Sequence, residues 1–261
     1  MASTIQIRKI TLGSGRPKIC IPFTGTKKEA LLSSAKDVTR PDSHCDLVEW
    51  RADFFESLLT PENPVDSGSL QATLTAFRNT LGEIPLLFTI RTKAEGGEIA
   101  IDTDSYVQIN RTAIESGCID LVDVELSRGE DAVRAIAEAA HRAGTAVIGS
   151  CHDFSGTPAK EDIVATLCRM QDLGCDIAKY AVMPTSERDV LTLLDATLTM
   201  KEEHPKTPVI TMSMGKLGAI SRISGELFGS CVSFGTAGAA SAPGQLPADM
   251  LSRFFNTLRP F

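Results

Sequence analysis

Residues 145–182 read TAVIGSCHDFSGTPAKEDIVATLCRMQDLGCDIAKYAV, and they hold one full round of a repeating plan. Thr145–Cys151 is a short run of β-branched and small apolar residues, as expected of a strand covered on both faces. Pro158 after Thr157 opens an amphipathic stretch predicted helical over Pro158–Leu173. A proline in the first turn fits there because that N–H has no helical partner anyway. Gly174 follows, where a left-handed C-cap is expected, and Asp176–Val182 returns as a second apolar strand. A strand, a helix and a strand joined this briefly make a parallel βαβ unit.

Working outward, the same alternation runs in both directions. Further strands are predicted at Lys18–Phe23, Cys45–Arg51, Pro85–Arg91, Ile119–Glu125, Pro208–Met212 and Cys231–Phe234. Helical periodicity marks Asp104–Ser116, Asp131–Ala143, Glu187–Glu203 and Asp249–Leu258, with Gly117 and Gly144 placed as further C-caps. Eight strand–helix repeats in about 240 residues suit a closed parallel barrel better than an open sheet. The expected class is therefore α/β, a single-domain (β/α)8 TIM barrel. Thr4–Gly15 reads as a β-hairpin closing the barrel floor, and no linker or composition shift divides the chain, so residues 1–261 are expected to form one domain.

Composition narrows the function. The 261 residues are 43% hydrophobic and 23% charged, values of a globular enzyme or binding protein. The formal charge is −7 and no Lys/Arg run could follow a phosphate backbone, which argues against nucleic acid. The N-terminal stretch MASTIQIRKI has no apolar signal core, and no apolar run reaches spanning length, so a cytoplasmic protein without a membrane partner is expected. Seven cysteines without a C-x-x-C pair read as free thiols.

In a parallel barrel the C-terminal strand ends face the active site. That rule selects Glu49 and Arg51, Arg91, Glu125, His152 with Asp153, Lys179, Arg222, and the Gly/Ala/Ser/Pro-rich loop Gly238–Gln245. Lys179 sits in the apolar strand Asp-Ile-Ala-Lys-Tyr-Ala-Val. A lysine there either pairs with a carboxylate such as Glu125 or attacks a ketone as a neutral amine. His152 directly follows an apolar strand beside the lysine-bearing one, where a proton carrier would stand. Asp153 serves as a cap or as an orienter, and Cys151 reads as core. Arg51, Arg91 and Arg222 converge from three strand ends as an anion clamp, with Glu49 and Glu95 as counter-charges. Four histidines without partners at ligand spacing give no expected metal site. No dinucleotide fingerprint, P-loop or nucleophile elbow is present, so no cofactor is expected.

At these residues the chain resembles the type I 3-dehydroquinate dehydratases. The shared landmarks are Glu49-Trp50-Arg51-Ala52-Asp53, Leu87–Arg91 with Glu95-Gly96-Gly97, Cys151-His152-Asp153-Phe154, and Ile177-Ala178-Lys179. Thr211–Gly215, Ile220–Arg222, Glu226–Ser230 and Ala240–Gln245 complete them in order along nearly the whole chain. The resemblance implies dehydration of 3-dehydroquinate through a Schiff base on Lys179, with His152 as general acid and base and Glu95 orienting it. It further implies that Arg222 binds the substrate carboxylate, that Glu49, Arg51 and Arg91 contact ring hydroxyls, and that Ser241 and Gln245 lie on a closing loop. A homodimer is implied by the same analogy. Pro22 departs from the family, whose members often carry a serine there, so strand one receives no binding role. Another lysine-imine barrel of the class I aldolase kind would share Lys179, and a non-catalytic barrel binding a small acid would keep only the arginines.

Overall fold

The structure, a computed structural model, describes residues 3–40, 42–58, 66–238 and 241–258. A hairpin of β1 (Ile5–Ile7) and β2 (Ile10–Leu12) comes first. Eight parallel strands follow in alternation with helices. They are β3 (Lys18–Phe23), α1 (Lys28–Val38), β4 (Leu47–Arg51), α2 (Ser67–Leu81), β5 (Leu86–Thr89), α3 (Thr103–Glu115), β6 (Leu121–Glu125) and α4 (Glu130–Ala143). Then come β7 (Ala146–Asp153), α5 (Lys160–Asp172), β8 (Ile177–Val182), α6 (Glu187–Glu203), β9 (Val209–Ser213), the short α7 (Ala219–Ile223) and α8 (Gly225–Phe228), and β10 (Val232–Thr236). A two-residue strand, β11 (Leu246–Pro247), lies beside β10, and α9 (Ala248–Leu258) ends the described chain.

Each strand from β3 to β8 pairs with the next, and β10 pairs back onto β3, so the sheet curls into a barrel. The seam between β9 and β10 is bound by a parallel bridge from Val209 to Ser230. There the Cys231 N–H donates to Val209 O at 2.9 Å, and the Ser230 hydroxyl oxygen accepts the Thr211 N–H at 3.0 Å. The expected eight-stranded barrel is present, and its strand ends shift by at most two residues. One helix start differs further. The residues before α5 are tied to the end of β8, with Met183 N–H donating to Gly156 O at 3.1 Å. Pro158 therefore lies ahead of the extended N-cap Ala159, outside the helix it was expected to open. Gly117, Gly144 and Gly174 all take positive φ, as C-capping requires.

The strand period of two sorts side chains into two apolar layers. Val48, Trp50, Phe88, Val122, Val147 and Tyr180 face the helices. Leu47, Leu87, Leu121, Ile148, Ile177, Ile210 and Val232 fill the lower interior, and Ile7 and Leu12 of the hairpin pack onto them. The hairpin thus closes the floor.

The floor carries a repeated clamp. Asp46, Asp120 and Asp176 each immediately precede a strand. Each donates its N–H to one residue of the preceding strand (Ile19, Leu86 and Val147) at 2.9 Å. Each carboxylate then accepts the same residue's N–H at 2.7–2.8 Å. Arg16 neutralises the first, Arg8 and Arg78 the second, and His141 contacts the third. These reciprocal pairs fix register at the end of the barrel where stability, not chemistry, is expected to reside.

Candidate active site

Above that apolar floor the interior turns polar. The next inward residues are Glu49 and Arg51 on β4, Thr89 on β5, Asp123 and Glu125 on β6, Ser150 and His152 on β7, and Lys179 on β8. They open onto a concave pocket at the C-terminal mouth of the barrel. Glu49, Arg51, Arg91, Glu95, His152, Lys179, Arg222, Ser241 and Gln245 all line it. Pro22, paired with Glu49 on the neighbouring strand, is not among its lining residues.

The buried Lys179 ammonium donates to Asp123 Oδ2 at 3.0 Å and lies 4.6 Å from the centre of the Phe234 ring. Its partner is Asp123 and not Glu125, because Glu125 is taken by the β5 side of the barrel. Glu125 accepts Arg91 Nη1 at 2.9 Å, Thr92 N–H at 2.8 Å and the Thr92 hydroxyl at 2.7 Å. Asp123 is fully enclosed and also accepts Arg91 Nη2 at 2.7 Å and the Ser150 hydroxyl at 2.5 Å. Burial opposes its charge, but Arg91 and Lys179 outweigh burial and hold the carboxyl well below the usual range.

Glu95 arrives on the turn Lys93–Glu95 after β5. Its Oε2 meets His152 Nδ1 at 2.9 Å and accepts the His152 backbone N–H at 3.0 Å, while Oε1 accepts the Ser127 hydroxyl at 2.6 Å. With donors on every side, the carboxylate selects the imidazole tautomer protonated on Nδ1 and leaves Nε2 as the acceptor. Burial, with Arg91 and Lys179 close by, keeps the imidazole pKa well below its ordinary value, so a neutral ring is the resting form. Burial raises Glu95 to about 7 against the pull of Arg91. The turn itself depends on Gly97, where an added Cβ would fall 1.9 Å from Arg91 O.

The arginines do not form the expected three-way clamp. Arg51 is held bidentately by Asp53, at 2.7 Å from both Nε and Nη2. Arg91 is the hub of the acidic cluster, bonded to Asp123 and Glu125 with Glu95 at 3.5 Å. Nor does Glu49 act as a counter-charge: it accepts the Thr89 hydroxyl at 2.8 Å. Arg222 stands apart. It is buried, donates from Nη2 to Pro243 O at 2.9 Å, lies 4.0 Å from Met212 Sδ, and leaves Nε without a partner. Among the described residues no carboxylate pairs with it, and burial lowers its pKa to about 10. A desolvated cation without a counter-ion is costly to bury.

Over the mouth, Gln245 Oε1 accepts the Ser241 N–H at 2.9 Å, and Gln245 Nε2 donates to Ser241 Oγ at 3.0 Å. Ala239 and Ala240, part of the expected closing loop, lie outside the described residues. Asp153 accepts from Ser155 N–H and Oγ, at 2.8 and 2.6 Å, and so shapes a turn. Cys151 is half-buried, and burial pushes its thiol up to about 11, which suits packing and not nucleophilic attack. Sequence reasoning missed Asp123, Ser150, Phe234 and Asp53. For Asp123 the signal was its spacing of two from Glu125 in Leu-Val-Asp-Val-Glu.

Known proteins share this sequence and fold. The family model described as type I 3-dehydroquinase matches residues 19–260. The 3-dehydroquinate dehydratase of Klebsiella pneumoniae subsp. pneumoniae is 45% identical over 258 residues, covering 99% of this chain and 100% of that one. The Clostridioides difficile protein of the same name is 44% identical, covering 99% and 98%. Among solved structures, the Clostridium difficile type I 3-dehydroquinate dehydratase with covalently modified comenic acid superposes with a TM-score of 0.93. It is 43% identical, with 99% and 98% coverage. The Geobacillus kaustophilus 3-dehydroquinate dehydratase gives 0.92 at 40% identity, with 99% and 98% coverage. By full-length match and shared fold, this chain belongs to the type I 3-dehydroquinase family.

Proposed function

We propose that this enzyme, a hydro-lyase, removes water from 3-dehydroquinate to give 3-dehydroshikimate through an imine on Lys179. The observation that carries this reading is a buried lysine and a half-buried histidine hydrogen-bonded to Glu95, lining one pocket with an uncompensated arginine. Lys179 passes a proton to His152 Nε2 and attacks the ketone carbon as the free amine; that proton and one from the bound amine leave with the carbonyl oxygen as water, giving a protonated imine. The iminium nitrogen is the electron sink: His152 Nε2 takes a proton from the adjacent carbon, and the C–H electrons move toward nitrogen as an enamine. Those electrons return to expel the β-hydroxyl, which leaves as water on receiving the proton His152 carries. Water then hydrolyses the imine and restores Lys179.

The surroundings favour each charge as it forms. Asp123 lies 3.0 Å from the nitrogen that becomes cationic, and Glu95 stabilises the imidazolium that appears when Nε2 is protonated. Arg222 takes the carboxylate, supplying the counter-ion that neither partner has alone. Glu49 and Arg51 face the ring hydroxyls, Arg91 helps keep Asp123 ionised, and Ser241 and Gln245 close over the ring. No helix of the described residues is long and apolar enough to cross a membrane. A single domain, a homodimer and a cytoplasmic setting complete the proposal by analogy with the family.

The test is direct. Mixing the protein with 3-dehydroquinate should give growing ultraviolet absorbance, since the product is a conjugated enone. Borohydride added during turnover should fix the substrate skeleton on Lys179 as a secondary amine, located by peptide mass spectrometry. An active preparation with no adduct, or with the adduct on another lysine, would defeat the imine mechanism.

A further inference from the structure

Asp53 occupies the 3-10 turn Ala52–Phe54 that follows β4, and its side chain is wholly enclosed. A buried carboxylate needs a cation, and Arg51 supplies one through two bonds at 2.7 Å. Asp53 does more than neutralise it. Oδ1 also accepts the Arg91 N–H at 3.3 Å, and Oδ2 accepts the Glu98 N–H at 3.2 Å. Those two amides flank the turn that carries Glu95. The turn is closed on itself by Gly97 N–H to Thr92 O at 2.8 Å and Lys93 N–H to Ile99 O at 2.8 Å. Its two ends therefore share one anchor. On the other side, Asp53 and the Phe54 ring, 5.0 Å from the guanidinium carbon, fix the plane of Arg51 at the pocket wall.

We propose that Asp53 is a positioning residue that couples Arg51 to the Glu95 turn, so that one buried carboxylate sets both ring binding and proton transfer at His152. This rests on the dehydratase reading given above. Displacing the carboxylate frees the guanidinium that meets the substrate and slackens the turn that holds the imidazole tautomer.

Asp53→Asn tests it, because the amide keeps the shape while removing the charge and turning one acceptor into a donor facing donors. The expected result is a KM raised about tenfold and a kcat lowered about tenfold, the scale of one lost charge-assisted hydrogen bond in each arm. The acid limb of the pH–rate profile should move as well. In an Arg51→Ala background the KM effect should vanish, and in a Glu95→Gln background the kcat effect should vanish. Asp53→Glu keeps the charge, displaces it by one methylene, and should show the same two changes in smaller degree. Rates are counted per active site titrated by borohydride trapping, so a loss of folded protein does not imitate them. A parent-like KM and pH profile in either folded variant overturns the coupling, and failure of both to fold assigns Asp53 to the scaffold and overturns it too. A parent chain inactive on 3-dehydroquinate would instead overturn the dehydratase reading itself.

Discussion

Replacing Asp123 with Asn should be the most damaging conservative change in the pocket outside Lys179 and His152. Asp123 receives Lys179 Nζ at 3.0 Å, Arg91 Nη2 at 2.7 Å and the Ser150 hydroxyl at 2.5 Å, with no solvent exposure. An amide of the same shape accepts on one atom only and carries no charge. Arg91 keeps Glu125 and Glu95, but among the described residues Lys179 keeps only the face of Phe234. A unit charge pair at this separation is worth about 5 kcal/mol at an effective dielectric near 20. Removing one partner of a buried pair costs roughly 3–5 kcal/mol. The reacting nitrogen bears a positive charge in the iminium, so about 3 kcal/mol of this should appear in the barrier, on the order of a hundredfold in kcat. The assay is enone absorbance under saturating substrate, with intact mass after borohydride counting the imine formed. The expected outcome is a kcat down by about two decades and a lower trapped fraction in folded protein. A kcat within threefold of the parent would refute the reasoning, because the iminium would then not depend on its nearest anion.

The remaining predictions concern the carboxylate site and the proton relay. Arg222→Ala should raise KM by about one to two decades, equivalent to the 1.5–3 kcal/mol of a charge-assisted pair, while imine trapping persists at high substrate; unchanged kinetics would place the carboxylate elsewhere. Because burial raises Glu95 to about 7, protons should fill its acceptor as pH falls through that range, and kcat/KM should decline on the acid side. In Glu95→Gln that limb should disappear and kcat should drop by roughly tenfold or more, with the apparent values belonging to the His152–Glu95 pair. An acid limb left in place by Glu95→Gln would assign the titration to another group.

How far the sequence carried depends on whether partners lie along the chain or across the barrel. Strands such as Ile177–Val182 are apolar on both faces, and α6 has a capping box of Ser186 and Asp189, so each declares itself locally. Position along a strand also placed Lys179 and His152 at the pocket. The charge pairing was not local. Asp123 on β6 reaches Lys179 on β8 past the intervening β7, a distance fixed by closure and stagger of the sheet and by nothing in either segment. The same holds for Arg91, whose anions come from β6 and from its own following turn. Read alone, three arginines at strand ends are equivalent; closure makes them different. Arg51 and Arg91 find carboxylates within the fold, whereas Arg222 finds a carbonyl and a sulfur. The fold pairs two of its three described buried arginines internally and leaves the third without an anion, and the proposed carboxylate role of Arg222 rests on that asymmetry, visible only after the barrel closes.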